Sequence, residues 1–237
     1  MVYVINIVPD IEEIIIEQVK DYFYADVKFK EIFPNFGNIN ISSVHPIAYL
    51  IDAEIRGKPE PKGLFPSLTI ANDNDNKNPE IDIATIIKDI KITSAEVQDM
   101  KDHRSIYVIS DEDVQALDQL TQDSGYVWSK GVQQRRRASL VSEIWSVNAR
   151  VKNRIYDILT NFFIGNKRFT LKEDYDIVID EKSISGEKSG NYNYDFGKML
   201  HGAILRMSVD YVIAQYYIDT DTVSLTGVIH TEGEVHR

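Results

Sequence analysis

The chain has 237 residues, of which 43% are hydrophobic and 27% charged, an ordinary globular mix long enough for one large domain or two small ones. It has no cysteine, which removes disulfides, thiolate catalysis and cysteine-ligated metal sites. A formal charge of −11 argues against a sequence-independent grip on nucleic acid, which needs clustered Lys and Arg; it suits a surface that DNA passes without adhering.

The N-terminal "MVYVINIVPDIEE" lacks a basic leader, so no signal peptide is expected. Apolar runs such as Ile14-Ile15-Ile16 fall far short of the roughly 20 residues a membrane span needs, so a soluble protein is expected. In "PDIEEIIIEQVKDYFYA", Asp10 is placed to cap a helix, with Glu12 and Glu13 in its first turn. Ile11, Ile14, Ile15, Val19, Tyr22 and Phe23 recur at helical spacing.

"DVKFKEIF" and "HPIAYLIDAEI" read as strands. "GKPEPKG", residues 57–63, reads as a turn or loop, and "LFPSLTIAN" as a short buried strand. Residues 72–80 are a polar break, and residues 81–92 are dense in Ile with helix and strand both open. "RSIYVIS" predicts a strand running into a helix, with Ser110 as cap and Val114, Leu117 and Leu120 on one side.

"GYVWSKGVQQRRRASLVSEIWS" predicts a hairpin about Gly131. In "NARVKNRIYDILTNFF", Val151, Ile155, Ile158, Leu159, Phe162 and Phe163 make an amphipathic helix ending near Gly165. "DYDIVIDE" predicts a strand, and residues 182–198 a long loop rich in Gly, Ser and Asn. "ILRMSVDYVIAQYYID" alternates, with Leu205, Met207, Val209, Tyr211 and Ile213 on one side. A turn at 219–221 and a last strand, "TVSLTGVIHT", follow. These elements predict an α/β (α+β) fold: a mixed, mostly antiparallel sheet with amphipathic helices packed on one face. No repeat and no linker divides the chain, so a single domain over 1–237 is expected.

Chemical motifs are sparse. The histidines at 45, 103, 201, 230 and 236 show no metal-ligand spacing, and no metal or other cofactor is expected. "DNDNKNPEID" places Asp73 and Asp75 like calcium ligands, but Lys77, Asn78 and Ala84 occupy positions that need an oxygen ligand, Gly and Glu. In "SISGEKSGN", Lys188 and Ser189 follow Gly186 at the wrong spacing for a phosphate loop. Asp176, Asp180 and Lys182 are the best set for a metal-dependent nuclease, against a background of 37 acids in which chance clusters are expected. Arg135, Arg136 and Arg137 form the one basic run. It reads either as a solvated strand or as a docking strip for acids, with Arg135 and Arg137 on one face and Arg136 on the other. Trp128 and Trp145 read first as sheet packing.

An Arg-rich β-run, a strand ending "EIW", an N-x-R joint and "R-I-Y-D-I-L" on a helix follow one another here. The order resembles bacteriophage tail-terminator and neck proteins, in which a strand bearing an aromatic residue leads into such a helix. The matching residues are Glu143, Ile144, Trp145, Arg150, Arg154, Ile155, Tyr156, Asp157 and Leu159. "GLFPSLTIAN" also resembles that family's early strand. On this resemblance residues 72–102 are an insertion and 182–198 an enlarged loop.

The resemblance implies a non-enzymatic virion protein, assembled in the host cytoplasm. Such a protein forms a homohexameric ring on the tail tube, stops tube growth and joins the tail to the head connector. Implied partners are other copies of the chain, tube and sheath proteins and neck proteins; genomic DNA passes the lumen without specific binding, and no membrane is involved. Arg135, Arg136, Arg137, Trp145, Arg150 and Arg154 are the interface candidates. A different head–tail adaptor and the metal-dependent nuclease are the rival readings.

Overall fold

The computed structural model describes residues 2–58, 63–72, 81–102, 107–108, 110–122, 125–165, 167–194 and 198–219. In chain order the first elements are β1 (Val2–Pro9), α1 (Ile11–Asp21), a π-helical turn (Tyr22–Asp26), α2 (Phe29–Ile32) and a 3-10 turn (Pro34–Phe36). Then come β2 (Asn40–Ser42), α3 (Pro46–Ile55), β3 (Ser67–Asn72), β4 (Ile81–Thr93), α4 (Ser94–Asp102), β5 (Tyr107–Val108) and α5 (Asp111–Gln122). The last are β6 (Tyr126–Ser146), α6 (Ala149–Ile164), α7 (Lys167–Tyr175), β7 (Val178–Tyr194) and β8 (Lys198–Asp219).

The chain forms two compact units, a larger one of residues 10–83 and 135–212 and a smaller one of 1–9, 84–134 and 213–237. Three of the four boundaries between the units fall inside strands, β4, β6 and β8, where no linker composition could announce them. The segment read as an insertion, residues 72–102, supplies β4 and α4.

In the larger unit the strand order is β2-β3-β6-β8-β7. β2 and β3 are parallel; β3 runs antiparallel to β6, with Ser67 opposite Trp145, and β7 antiparallel to β8. α1 starts where Asp10 accepts the Glu13 N–H at 3.0 Å. It buries Ile11, Ile14, Ile15, Ile16 and Val19, while α6 buries Val151, Ile155, Ile158, Leu159, Phe162 and Phe163. Tyr22 meets Phe162 at 5.4 Å between ring centroids, joining the two helices. Leu205, Met207, Val209 and Tyr211 of β8 are buried alternately, as their pattern predicts.

In the smaller unit the order is β4-β6-β8-β1-β5. β1 runs antiparallel to β8 and to β5. α4 and α5 close a second core of Ile92, Val97, Leu117, Val127 and Ala214. Ser110 caps α5 by accepting the Asp113 N–H at 3.1 Å. The expected fold class, a mixed and mostly antiparallel sheet with packed helices, is the observed one.

Several local readings are corrected. "HPIAYLIDAEI" is α3: Pro46 opens it, and His45 Nδ1 accepts the Ile47 N–H at 3.2 Å, doing the work of a cap. "DVKFKEIF" is the single turn α2 around the buried Phe29. The hairpin about Gly131 is one 21-residue strand, β6, with Gly131 buried inside it. The loop read over 182–198 is strand β7 as far as Tyr194, with register shifts between Asp180 and Ser185 and between Glu187 and Gly190. Residues 81–92, left open, are strand. β1 and α7 were not anticipated; α7 buries only Leu171, and one apolar contact makes no period. Residues 59–62, 73–80 and 220–237, and with them parts of the predicted loops, the last turn and the last strand, lie outside the described residues.

Candidate functional site

The joint between β6 and α6 is built from short polar side chains. Ser146 Oγ accepts the Asn148 N–H at 3.1 Å, and Asn148 Oδ1 accepts the N–H groups of Arg150 and Val151 at 2.9 and 3.2 Å. Asn148 is thus the helix cap, satisfying two of the donors a helix start leaves open. With the apolar side of α6 buried, Arg150 and Arg154 face solvent, and neither makes an ion pair among the described residues.

Trp145, at the strand end, is 5% exposed. Its ring lies over Gly202 so closely that a Cβ there would sit 2.9 Å from it. The His45 ring meets it edge-on at 5.7 Å. Trp145 Nε1–H donates to Glu143 at 3.3 Å, and His45 Nε2 donates to the same carboxylate oxygen at 2.8 Å. Because His45 Nδ1 already accepts the Ile47 N–H, both ring nitrogens are committed to the fold and neither offers a base to a substrate. A shallow cavity of about 150 Å³ lies beside Trp145, Glu187, Gly190 and Gly202.

Glu143 is held below its ordinary value of 4.5, first by the hydrogen bond from His45 and then by Trp145 and Arg206, against burial, which raises it. A carboxylate depressed in the folded state stabilises the fold above its ordinary value and loses that contribution as pH falls through the folded value. Urea midpoints are therefore expected to fall on acidification below about pH 4.5. Glu143→Gln should flatten that limb; a profile unchanged by the substitution would contradict the assignment.

Odd positions of β6 carry Arg135 and Arg137 onto the face shared with Glu143. Arg137 grips Asp210 of β8 with Nε at 2.6 Å and Nη2 at 3.0 Å, and reaches Asp180 of β7 at 3.7 Å. The pair with Asp210 raises the Arg137 pKa. Arg135 meets Asp176 at 3.5 Å, and Arg136 also has a partner within the chain.

The acids proposed for nuclease chemistry are therefore engaged by arginines. Asp176 also has a structural task, ending α7 with a left-handed φ of 54° that Asp tolerates. Asp180 Oδ1 accepts the Lys182 N–H at 3.1 Å. Ser183 Oγ donates to the Asp180 carbonyl at 2.6 Å and accepts the Ser208 N–H at 2.7 Å, stitching the bulge to β8. Among the described residues no three His, Asp or Glu side chains converge as a metal ion needs. Residues 73–80 of the calcium-like stretch lie outside the described residues, as do His103, His230 and His236, and its position 84 falls in β4.

Sequence reasoning missed the His45–Glu143 pair and the burial of Lys152. Lys152 is 5% exposed and its Nζ donates to the Lys188 carbonyl. Its pKa is lowered by burial and then by Lys188. Lys188 in turn pairs with Asp157 at 2.5 Å and lies 4.7 Å over the Tyr156 ring. The only signal in the sequence is the place of Lys152 beside Val151 on the apolar side of α6.

No protein-family model matches the chain, and no curated protein matches it.

Proposed function

We propose that the chain is a structural virion protein of a tailed phage, a tail terminator. In this reading it forms a ring at the head-proximal end of the tail tube, halts tube polymerisation and joins the tail to the head connector. Its home is the tail or neck of the virion, after assembly in the host cytoplasm. Its partners are copies of itself, tube and sheath proteins and neck proteins, and genomic DNA passes the lumen without specific binding.

The observation that carries the reading is apolar surface left open. On α3, Ile51 and Ile55 stand one turn apart on the same side and are 51% and 79% exposed, and Tyr49, on another side of the helix, is 41% exposed. Two isoleucines held open on one side of a helix favour a covering protein surface. The joint from Glu143 to Leu159 supports the specific family, since Trp145 ends a strand that turns through Asn148 into α6. Arg150 and Arg154 stand on the solvent side of that helix, open to a neighbour. Arg135 and Arg137 have partners in their own chain, so an intersubunit role for them would require an exchange of acids. Among the described residues no helix is long and apolar enough to cross a membrane.

Light scattering on a sizing column, with negative-stain images of the same peak and of the peak mixed with tail tubes, tests the reading. A closed ring of about six copies with a central hole, or density capping tube ends, is expected. Protein that neither closes a ring nor caps tubes would end it. Magnesium-dependent DNA cleavage lost in Asp176→Ala would put the nuclease in its place.

A further inference from the structure

Among the described residues, the smaller unit's sheet has one face closed by helices and one open. Ile92, Val127 and Ala214 point into the core under α4 and α5, with Tyr216 packed against it. Alternation therefore sends Lys91, Tyr126, Trp128, Lys130 and Tyr217 to the other face. Trp128 is 54% exposed, Tyr217 37% and Ile87, on the same side of β4, 72%.

The side chains on this face are ordered among themselves. Lys91 Nζ lies 4.0 Å from the Tyr126 ring centroid, and Tyr126 meets Trp128 edge-on at 6.5 Å. Tyr217 Oη donates to Gln215 at 3.2 Å. Ser129 Oγ donates to the Tyr217 carbonyl at 3.2 Å, placing β6 and β8 side by side there. The face carries Lys91 and Lys130 against Asp89.

Helix α5 has the opposite character. Its first turn carries Asp111, Glu112 and Asp113; its remaining acid, Asp118, pairs with Lys101 of α4 at 2.7 Å, and the helix contains no basic residue. Its inward residues are Val114, Leu117 and Thr121, which leaves Glu112 fully outward.

We propose that the aromatic, lysine-flanked face of one copy docks on the acidic outer side of α5 of the next copy. The inference rests on the ring reading above and names the surfaces that close the ring. Trp and Tyr anchors are the side chains that dominate association energies, and the two lysines meet carboxylates rather than other cations. The two patches are different parts of one chain, so the contact can repeat head-to-tail, and it gives a ring where the rotation between copies closes. Aromatic rings beside lysines also suit single-stranded nucleic acid, but two lysines in a chain of charge −11 give a polyanion little to hold.

Trp128 reports on this directly, because the only other tryptophan, Trp145, is already buried. As the wild-type concentration is raised at low salt, the mass and the blue shift of tryptophan emission should rise together. Trp128→Ala should weaken association by about tenfold or more. Lys91→Glu with Lys130→Glu should weaken it similarly, as should Glu112→Lys with Asp113→Lys. The four changes together should restore association, which no misfolding could imitate; circular dichroism confirms each fold. A ring that forms while Trp128 stays solvent-exposed overturns this inference and leaves the ring reading standing. A wild type that stays monomeric overturns it too, and the ring reading then rests on capping of tube ends alone. Emission quenched by a single-stranded oligonucleotide without a mass increase would make the face a nucleic-acid platform instead.

Discussion

Replacing Trp145 with alanine is expected to lower the unfolding free energy by about 3–5 kcal/mol, the range for emptying a large aromatic site in a core. The ring is 5% exposed, and Gly202 below it has no side chain that could move in to fill the space. Glu143 would keep His45 but lose the indole N–H, a smaller loss. Urea denaturation followed by far-ultraviolet circular dichroism measures the change, and Trp145→Phe should recover part of it. A loss under about 1 kcal/mol, the size seen at surface sites, would mean that the ring is not packed as described.

The second large effect is expected at Arg137. Arg137→Ala leaves Asp210, whose side chain is 16% exposed, without its two-pronged partner, and should cost about 2 kcal/mol. Lysine should rescue little, since an ammonium cannot present the planar fork that meets both oxygens. Arg137→Met with Asp210→Leu should return much of the stability, because removing a whole pair strands no charge. By contrast, Arg135 and Asp176 are 40% and 61% exposed at 3.5 Å, and Arg135→Ala should change stability by about 0–1 kcal/mol. If Arg137→Ala were as mild as Arg135→Ala, the in-chain pairing would not be what Arg137 is for. The arginine strip would then be open again to a neighbour's acids.

The elements read correctly share a strong local signal. α1 and α6 repeat apolar residues at helical spacing behind the caps Asp10 and Asn148, and β8 alternates from Leu205 to Ile213. The sequence of α3 predicts a strand because Ile51 and Ile55 put apolar residues on its exposed side, so no polar face marks it as a helix. The sequence of β6 predicts two strands because glycine before a polar run is ordinarily a turn. Here Gly131 is buried in a strand whose neighbours hold it extended. The Gly, Ser and Asn of β7 have low strand propensity and predict a loop; pairing with β8 overrides that preference.

The candidate site was legible in its residue types and not in its partnerships. That Arg135 and Arg137 share a face follows from the period of a strand alone. That Arg137 meets Asp210 and Asp180, that His45 binds Glu143 and that Asp176 ends a helix required knowing which strands lie side by side. The two tryptophans make the same point: Trp145 is buried and Trp128 is 54% exposed, though both lie on one strand of the same sequence character.

Sequence alone determined the segments whose period is strong and whose ends are capped, together with the acidic, cysteine-free composition, because those depend on neighbours within a turn or two of chain. Strand order, the division into two units and the choice of which charges meet were decided only by tertiary structure. They arise from packing between residues far apart in the chain, which no local preference records.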